Sequence, residues 1–144
     1  RYPIHIPRQD RNRTFSGKPL RHLSSLDDVP SFTYSDLVQR ASTVDVIWFS
    51  KGSDYMFPER MFEIEHTTDF HNSLIKFRHF VYFSAEFFIV APGHRERDFR
   101  EKLERDHRDL RERVKFVNYE TLVKLYTKDL ERQQAYKEAG IVPL

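Results

Sequence analysis

Strand-like and helix-like spacings of large apolar residues alternate along this chain, and that alternation restricts it to a fold in which helices connect strands. Val44-Asp45-Val46-Ile47-Trp48-Phe49 is β-branched and aromatic, the composition of a strand, and Ser50-Lys51-Gly52-Ser53-Asp54 breaks it with a turn. Met61–His66 is the next strand, antiparallel to the first because the connection is short. From Asp69 the period changes. Phe70, Leu74, Phe77 and Val81 recur at i, i+4, i+7 and i+11, the stripe of a helix over 69–83 packed on a sheet.

Phe87-Phe88-Ile89-Val90-Ala91 is a continuous apolar run closed by Pro92-Gly93, which reads as a strand buried on both faces. A charged amphipathic helix follows over roughly 95–113, with Phe99, Leu103 and Leu110 inward and Glu101/Arg105 and Glu104/Arg108 as i, i+4 pairs. Val114–Val117 is a further strand, and Asn118 caps a helix that begins near Tyr119 and carries Leu122, Leu125 and Tyr126. Upstream, Thr33 and Asp36 match a capping box before a short helix over 34–42. The order predicts an α/β domain: a central mixed β-sheet flanked by helices on both faces.

Composition narrows the class. The 144 residues form one domain's worth of chain, with 13 Phe and 7 Tyr supplying a core and no cysteine to supply disulfides, thiolate metal ligands or a thiol nucleophile. A single domain over 1–144 is expected, with an irregular basic approach over 1–30 and a core over 33–126. Neither a membrane span nor a signal peptide is visible, which predicts a soluble cytoplasmic protein. The first residue is Arg1, consistent with a piece of a longer protein whose remainder would carry target selection. Net charge is only +2, so overall charge argues weakly for nucleic acid. The basic residues of the first 30, Arg1, Arg8, Arg11, Arg13, Lys18 and Arg21, suit either phosphates or a solvated arm.

The chemistry concentrates in Met61-Phe62-Glu63-Ile64-Glu65. Side chains alternate along a strand, so Glu63 and Glu65 share one face at roughly 6–7 Å while Phe62 and Ile64 take the other. Carboxylates held this close raise each other's pKa unless something positive sits between them. A hard divalent cation is one such neutraliser, and Asp45 on the neighbouring strand adds a third acid. A solvent-facing strand edge, with Phe62 and Ile64 buried behind it, explains the pair equally simply. On the following helix Asp69, Asn72 and Lys76 form a polar stripe that faces the carboxylates, with Lys76 an ordinary surface lysine in the other reading.

Other chemistries find less support. His66 and His71 lack zinc spacing. No GxxxxGK[ST] or GxGxxG loop and no glycine-flanked serine nucleophile occurs. Trp48, Tyr82 and Phe83 offer base-stacking surface, but Trp48 in an apolar strand is expected in the core.

Asp45 in "VDVIWF", Glu63-Ile64-Glu65 in "FEIEHTT", the helix after them and the strand "FFIVA" together resemble the catalytic core of PD-(D/E)XK nucleases, the restriction-endonuclease-like superfamily. The resemblance covers about 33–126, provided that a short strand near 55–60 or in the N-terminal segment completes the pattern. Two positions depart from it: Val44 replaces the proline that often precedes the first acid, and Glu65 replaces the lysine two residues after the second. Some members look similar, with glutamate in the lysine position, and others recruit a lysine from the following helix, where Lys76 lies.

The resemblance implies a Mg²⁺-dependent DNA endonuclease of a restriction or defence system, with Mn²⁺ able to substitute. Asp45, Glu63, Glu65 and the Ile64 backbone carbonyl would be metal ligands. Glu65 would orient the attacking water, and Lys76 would stabilise charge on the phosphate. His66, Thr67, His71 and Asn72 would edge the site. A homodimer would bring one site to each DNA strand. The other function class is a nuclease-fold module that has lost cleavage and binds nucleic acid or a protein partner.

Overall fold

Parallel neighbouring strands require a crossover, and the chain provides two. The computed structural model describes residues 6–15, 17–22, 24–28, 34–50 and 56–141. It divides into two units, Arg1–Ser35 and Asp36–Leu144.

In the first unit a two-residue strand β1 (Thr14–Phe15) pairs antiparallel with β2 (Lys18–Pro19), with Gly17 at φ 73° in the turn, a conformation open to residues without Cβ. The Arg11 guanidinium ties this unit together by donating to the carbonyls of Ile6, Leu26 and Asp27 at 2.9, 3.3 and 2.7 Å. Arg8 pairs with Asp28 and Arg13 with Asp10. Part of the basic segment is therefore matched by acids of the same segment.

In the second unit α1 (Ser35–Ala41) precedes β3 (Val46–Phe49), β4 (Pro58–Ile64), α2 (His71–Arg78), β5 (Glu86–Ala91), α3 (Glu96–Asp106), β6 (Val114–Asn118) and α4 (Tyr119–Glu138). The sheet runs β3-β4-β5-β6, antiparallel between β3 and β4 and parallel between the others. The expected fold class holds: an α/β unit with a mixed sheet and flanking helices. Neither place named for a completing strand adds one among the described residues, because β4 itself starts at Pro58 and β1 and β2 pair with each other. Thr33 and the 51–55 turn lie outside the described residues.

Register assigns the two faces. Val46, Phe62 and Phe88 are cross-strand partners, as are Ile47, Met61 and Phe87. The second set is the inner face. Met61, Phe87, Ile89 and Ala91 join Phe70 at the N-cap of α2, Leu74 and Phe77 within α2, and Phe99 and Leu103 of α3 in one buried cluster, with Leu37 and Ala41 of α1 packed against it. Helices were expected on both faces, yet the buried side chains of α2 and α3 all serve this one, and α4 buries none of its own.

Trp48 is consequently no core residue. It sits on an edge strand, on the outer face, and is 52% exposed. Phe88 is only half-buried on the same face, whereas Val90 two residues on is buried there at 4% exposure, so β5 is covered on both sides toward its C-terminal end. Helix α2 is shorter than its apolar stripe suggests. Beyond Arg78 successive i to i+3 bonds, Phe80 N–H to Phe77 O and Phe83 N–H to Phe80 O, carry the chain on and still bury Phe80. On α3, Glu101 pairs backward with Arg97 at 2.9 Å and Arg105 with Asp106, while Glu104–Arg108 forms as expected. Asn118 caps α4 by accepting the Thr121 N–H at 2.7 Å. Among the described residues no helix is long and apolar enough to cross a membrane.

Candidate active site

The inner face that buries Met61 also takes Glu63 and Glu65, because side chains two residues apart share a face. Glu63 is 3% exposed and Glu65 8%, whereas Ile64 between them is 50% exposed. The strand-edge explanation is thereby reversed: the charges are inside and the aliphatic residue is outside. A buried carboxylate needs partners, and α2 supplies them.

Lys76 donates from Nζ to both oxygens of Glu63, at 3.0 and 2.8 Å, and to the Thr43 carbonyl at 2.9 Å. Ser73, fully buried one turn earlier, lies 3.0 Å from Glu63 Oε2 and in short contact with Glu65 Oε1. The second oxygen of Glu65 accepts from the Thr68 hydroxyl. Burial pushes the Glu63 carboxyl above its usual pKa of 4.5, against the hydrogen bond and charge of Lys76, and the charge of Asp45 adds to the rise. A hydroxyl has one hydrogen to give, so Ser73 bonds both glutamates only when one of them holds a proton.

Asp45 approaches from the residue before β3. Its Oδ2 accepts the Ile64 N–H at 2.7 Å, and its own N–H lies 3.3 Å from Glu63 Oε1. Asp45 itself is exposed. An exposed carboxylate thus stands beside a pair formed by the buried Glu63 and the partly exposed Lys76.

Asp45, Glu63, Glu65 and Lys76 are therefore gathered in one place, and the edge residues divide. His66 stacks on Tyr119 with ring centroids 5.9 Å apart, and Thr67 and Asn72 are exposed. His71 turns away to the other side of α2. Its Nδ1 lies 2.9 Å from His107 Nε2, and His107 Nδ1 lies 3.1 Å from Arg78, which is held in turn by Asp109 at 2.8 and 3.0 Å. Burial first, then the charges of Arg78 and His71, pull the His107 pKa below 6.5.

Asp69 accepts the His71 N–H at 2.7 Å and does not face the acids. Ser73, a serine with no glycine-flanked nucleophile motif around it, is the residue that bridges them. The available signal was its spacing: three residues before Lys76, it shares the same helical face.

Among the described residues no three His, Asp or Glu side chains converge as a ready metal cage. The donor set is oxygen-only, and Mg²⁺ is ordinarily held by one or two carboxylates with waters completing its shell. Asp45 and Glu63 supply two carboxylates of that kind, with Lys76 now seated on both oxygens of Glu63.

Compared with known proteins, residues 1–140 match a family model described as the type II restriction enzyme NmeDI C-terminal domain. No curated protein and no solved structure matches the chain.

Proposed function

We propose, from the premise that the chain belongs to the family of the type II restriction enzyme NmeDI C-terminal domain, that it is the DNA-cleaving domain of a restriction system. Its site is read as a PD-(D/E)XK variant in which the lysine has moved to the following helix. The observation that carries this reading is the seat of Lys76: its ammonium spans both oxygens of Glu63, beside Asp45.

Asp45 and Glu63, with the Ile64 carbonyl, would hold Mg²⁺ or Mn²⁺. The Ile64 N–H already points at Asp45, and in a strand a residue's N–H and C=O point to the same neighbour. A cation bound there polarises a phosphodiester and lowers the pKa of an attacking water. Lys76 supplies a positive charge for the phosphate oxygens as negative charge grows on them. Glu65, occupied by two hydroxyls, anchors Ser73 and Thr68 and so holds the pair in place. A homodimer would present one such site to each strand.

The same ion pair supports a second reading. Lys76 neutralises Glu63 without any metal, and Glu65 stands where the lysine is expected, as in a module that keeps the fold for binding alone. Plasmid DNA incubated with this chain and Mg²⁺ or Mn²⁺ separates the two. Cleavage that falls about a hundred- to thousandfold in Asp45→Asn and Lys76→Met, with folding checked by circular dichroism, supports the nuclease. No cleavage and no Mn²⁺ binding by the unaltered chain supports the binding module.

A further inference from the structure

Parallel pairing sets the C-terminal ends of β4 and β5 side by side: Ile64 partners Val90, and the Glu65 N–H donates to Val90 O at 2.9 Å. The segment leaving β5 therefore runs past the turn that leaves β4. Arg95, at the end of the Gly93–Arg95 3₁₀ turn that leads into α3, reaches across. Its Nη1 donates to the Glu65 carbonyl at 2.9 Å and its Nη2 to the Thr68 carbonyl at 2.6 Å. The central carbon of the guanidinium lies over the Phe70 ring, 4.2 Å from its centroid. One planar fork thus bridges two carbonyls three residues apart and rests on an aromatic face, a geometry that an ammonium does not reproduce.

We propose that Arg95 is a positioning residue for Glu65: by clamping the 65–68 turn it holds the Thr68 hydroxyl on the Glu65 carboxylate and so orients the acid that shares Ser73 with Glu63. The proposal builds on the site described above and concerns the aim of its second glutamate. Without the clamp, Thr68 and Glu65 are joined only through their own side chains, and the turn's one remaining backbone tie to the neighbouring strand is the Glu65 N–H, with the His66 ring stacked on Tyr119 beside it. Charge alone does not suffice, because both acceptors are neutral carbonyls whose separation must match the fork.

The experiment is carbon-detected NMR of the side-chain carboxyls, with amide hydrogen exchange, on the unaltered chain, Arg95→Ala and Arg95→Lys. In Arg95→Ala the Glu65 carboxyl resonance moves, that of Asp109 does not, and the Glu65 amide, bonded to Val90 O, exchanges about tenfold faster or more as the turn opens locally. Arg95→Lys behaves like Arg95→Ala, and added ethylguanidinium restores part of the Arg95→Ala signal, which a loss of general stability would not allow. An unmoved Glu65 resonance with unchanged protection overturns the proposal. Should Arg95→Ala fail to fold, the unaltered chain still decides: slowly rotating, protected Arg95 guanidinium protons support the clamp, and a freely rotating group overturns it. These signals need neither metal nor DNA. A moved Glu65 resonance in a chain that never cleaves leaves Arg95 in its role and removes only the nuclease.

Discussion

The Lys76 ammonium lies 3.0 and 2.8 Å from the two carboxylate oxygens of Glu63, a side chain 3% exposed. The positive charge that two neighbouring acids on one strand demand is thus built into the next helix. Because the lysine is only partly covered while the glutamate is buried, the two partners differ in what their loss costs.

Removing the lysine strands a buried charge. Lys76→Met should destabilise the fold by about 3 kcal/mol in urea unfolding at neutral pH, the low end for a broken buried pair because water still reaches the lysine side. Adding Glu63→Gln should recover most of that loss. A cost under about 0.5 kcal/mol for Lys76→Met would show that the pair contributes nothing to stability.

Ser73 is the fully buried hydroxyl between two carboxylates. Its loss in Ser73→Ala should cost about 1–3 kcal/mol, because acceptors left without a donor keep their desolvation penalty. Denaturant midpoints measured with unchanged slope test this, and a neutral substitution would mean that the hydroxyl is no bridge.

Glu63 has its folded pKa raised, chiefly by burial. For a group raised on folding, the stability it contributes is fully present below its unfolded pKa, near 4.5, and is lost as pH rises through the folded value. Unfolding free energies of the unaltered chain and Glu63→Gln should therefore diverge as pH climbs from 4.5 toward neutrality, the unaltered chain losing stability relative to the variant. Parallel pH profiles would contradict this.

His107 has the opposite linkage. Its pKa is lowered from 6.5 by burial and by the charges of Arg78 and His71, so its stabilising share is present above 6.5 and lost as pH falls through the folded value. NMR titration should place the His107 midpoint below 6.5. His107→Gln should flatten the acid limb of the stability profile; an unchanged limb would argue against a neutral buried histidine.

The elements themselves were readable because their signals are local. Periodicity located α2 and α3, Asn118 announced the start of α4, and the β-branched run announced β3. The gathering of Asp45, Glu63 and Lys76 followed from the same reasoning, since adjacent antiparallel strands and the next helix bring those positions together. Ser73 was missed because a serine on a helix has no signature of its own, and the turn of His71 toward His107 was missed because a residue from beyond α3 sets it.

Sequence alone determined which residues share a face: alternation puts Glu63 with Glu65 and Phe62 with Ile64 wherever the strand lies. Which face is covered was decided only in the tertiary structure. Helices α2 and α3 brought their apolar stripes to the Met61 side, so the acids were buried and paired while Ile64 and Trp48 stayed in water. The physical reason is that a two-residue period carries no inside or outside; the helices that cross the sheet assign it.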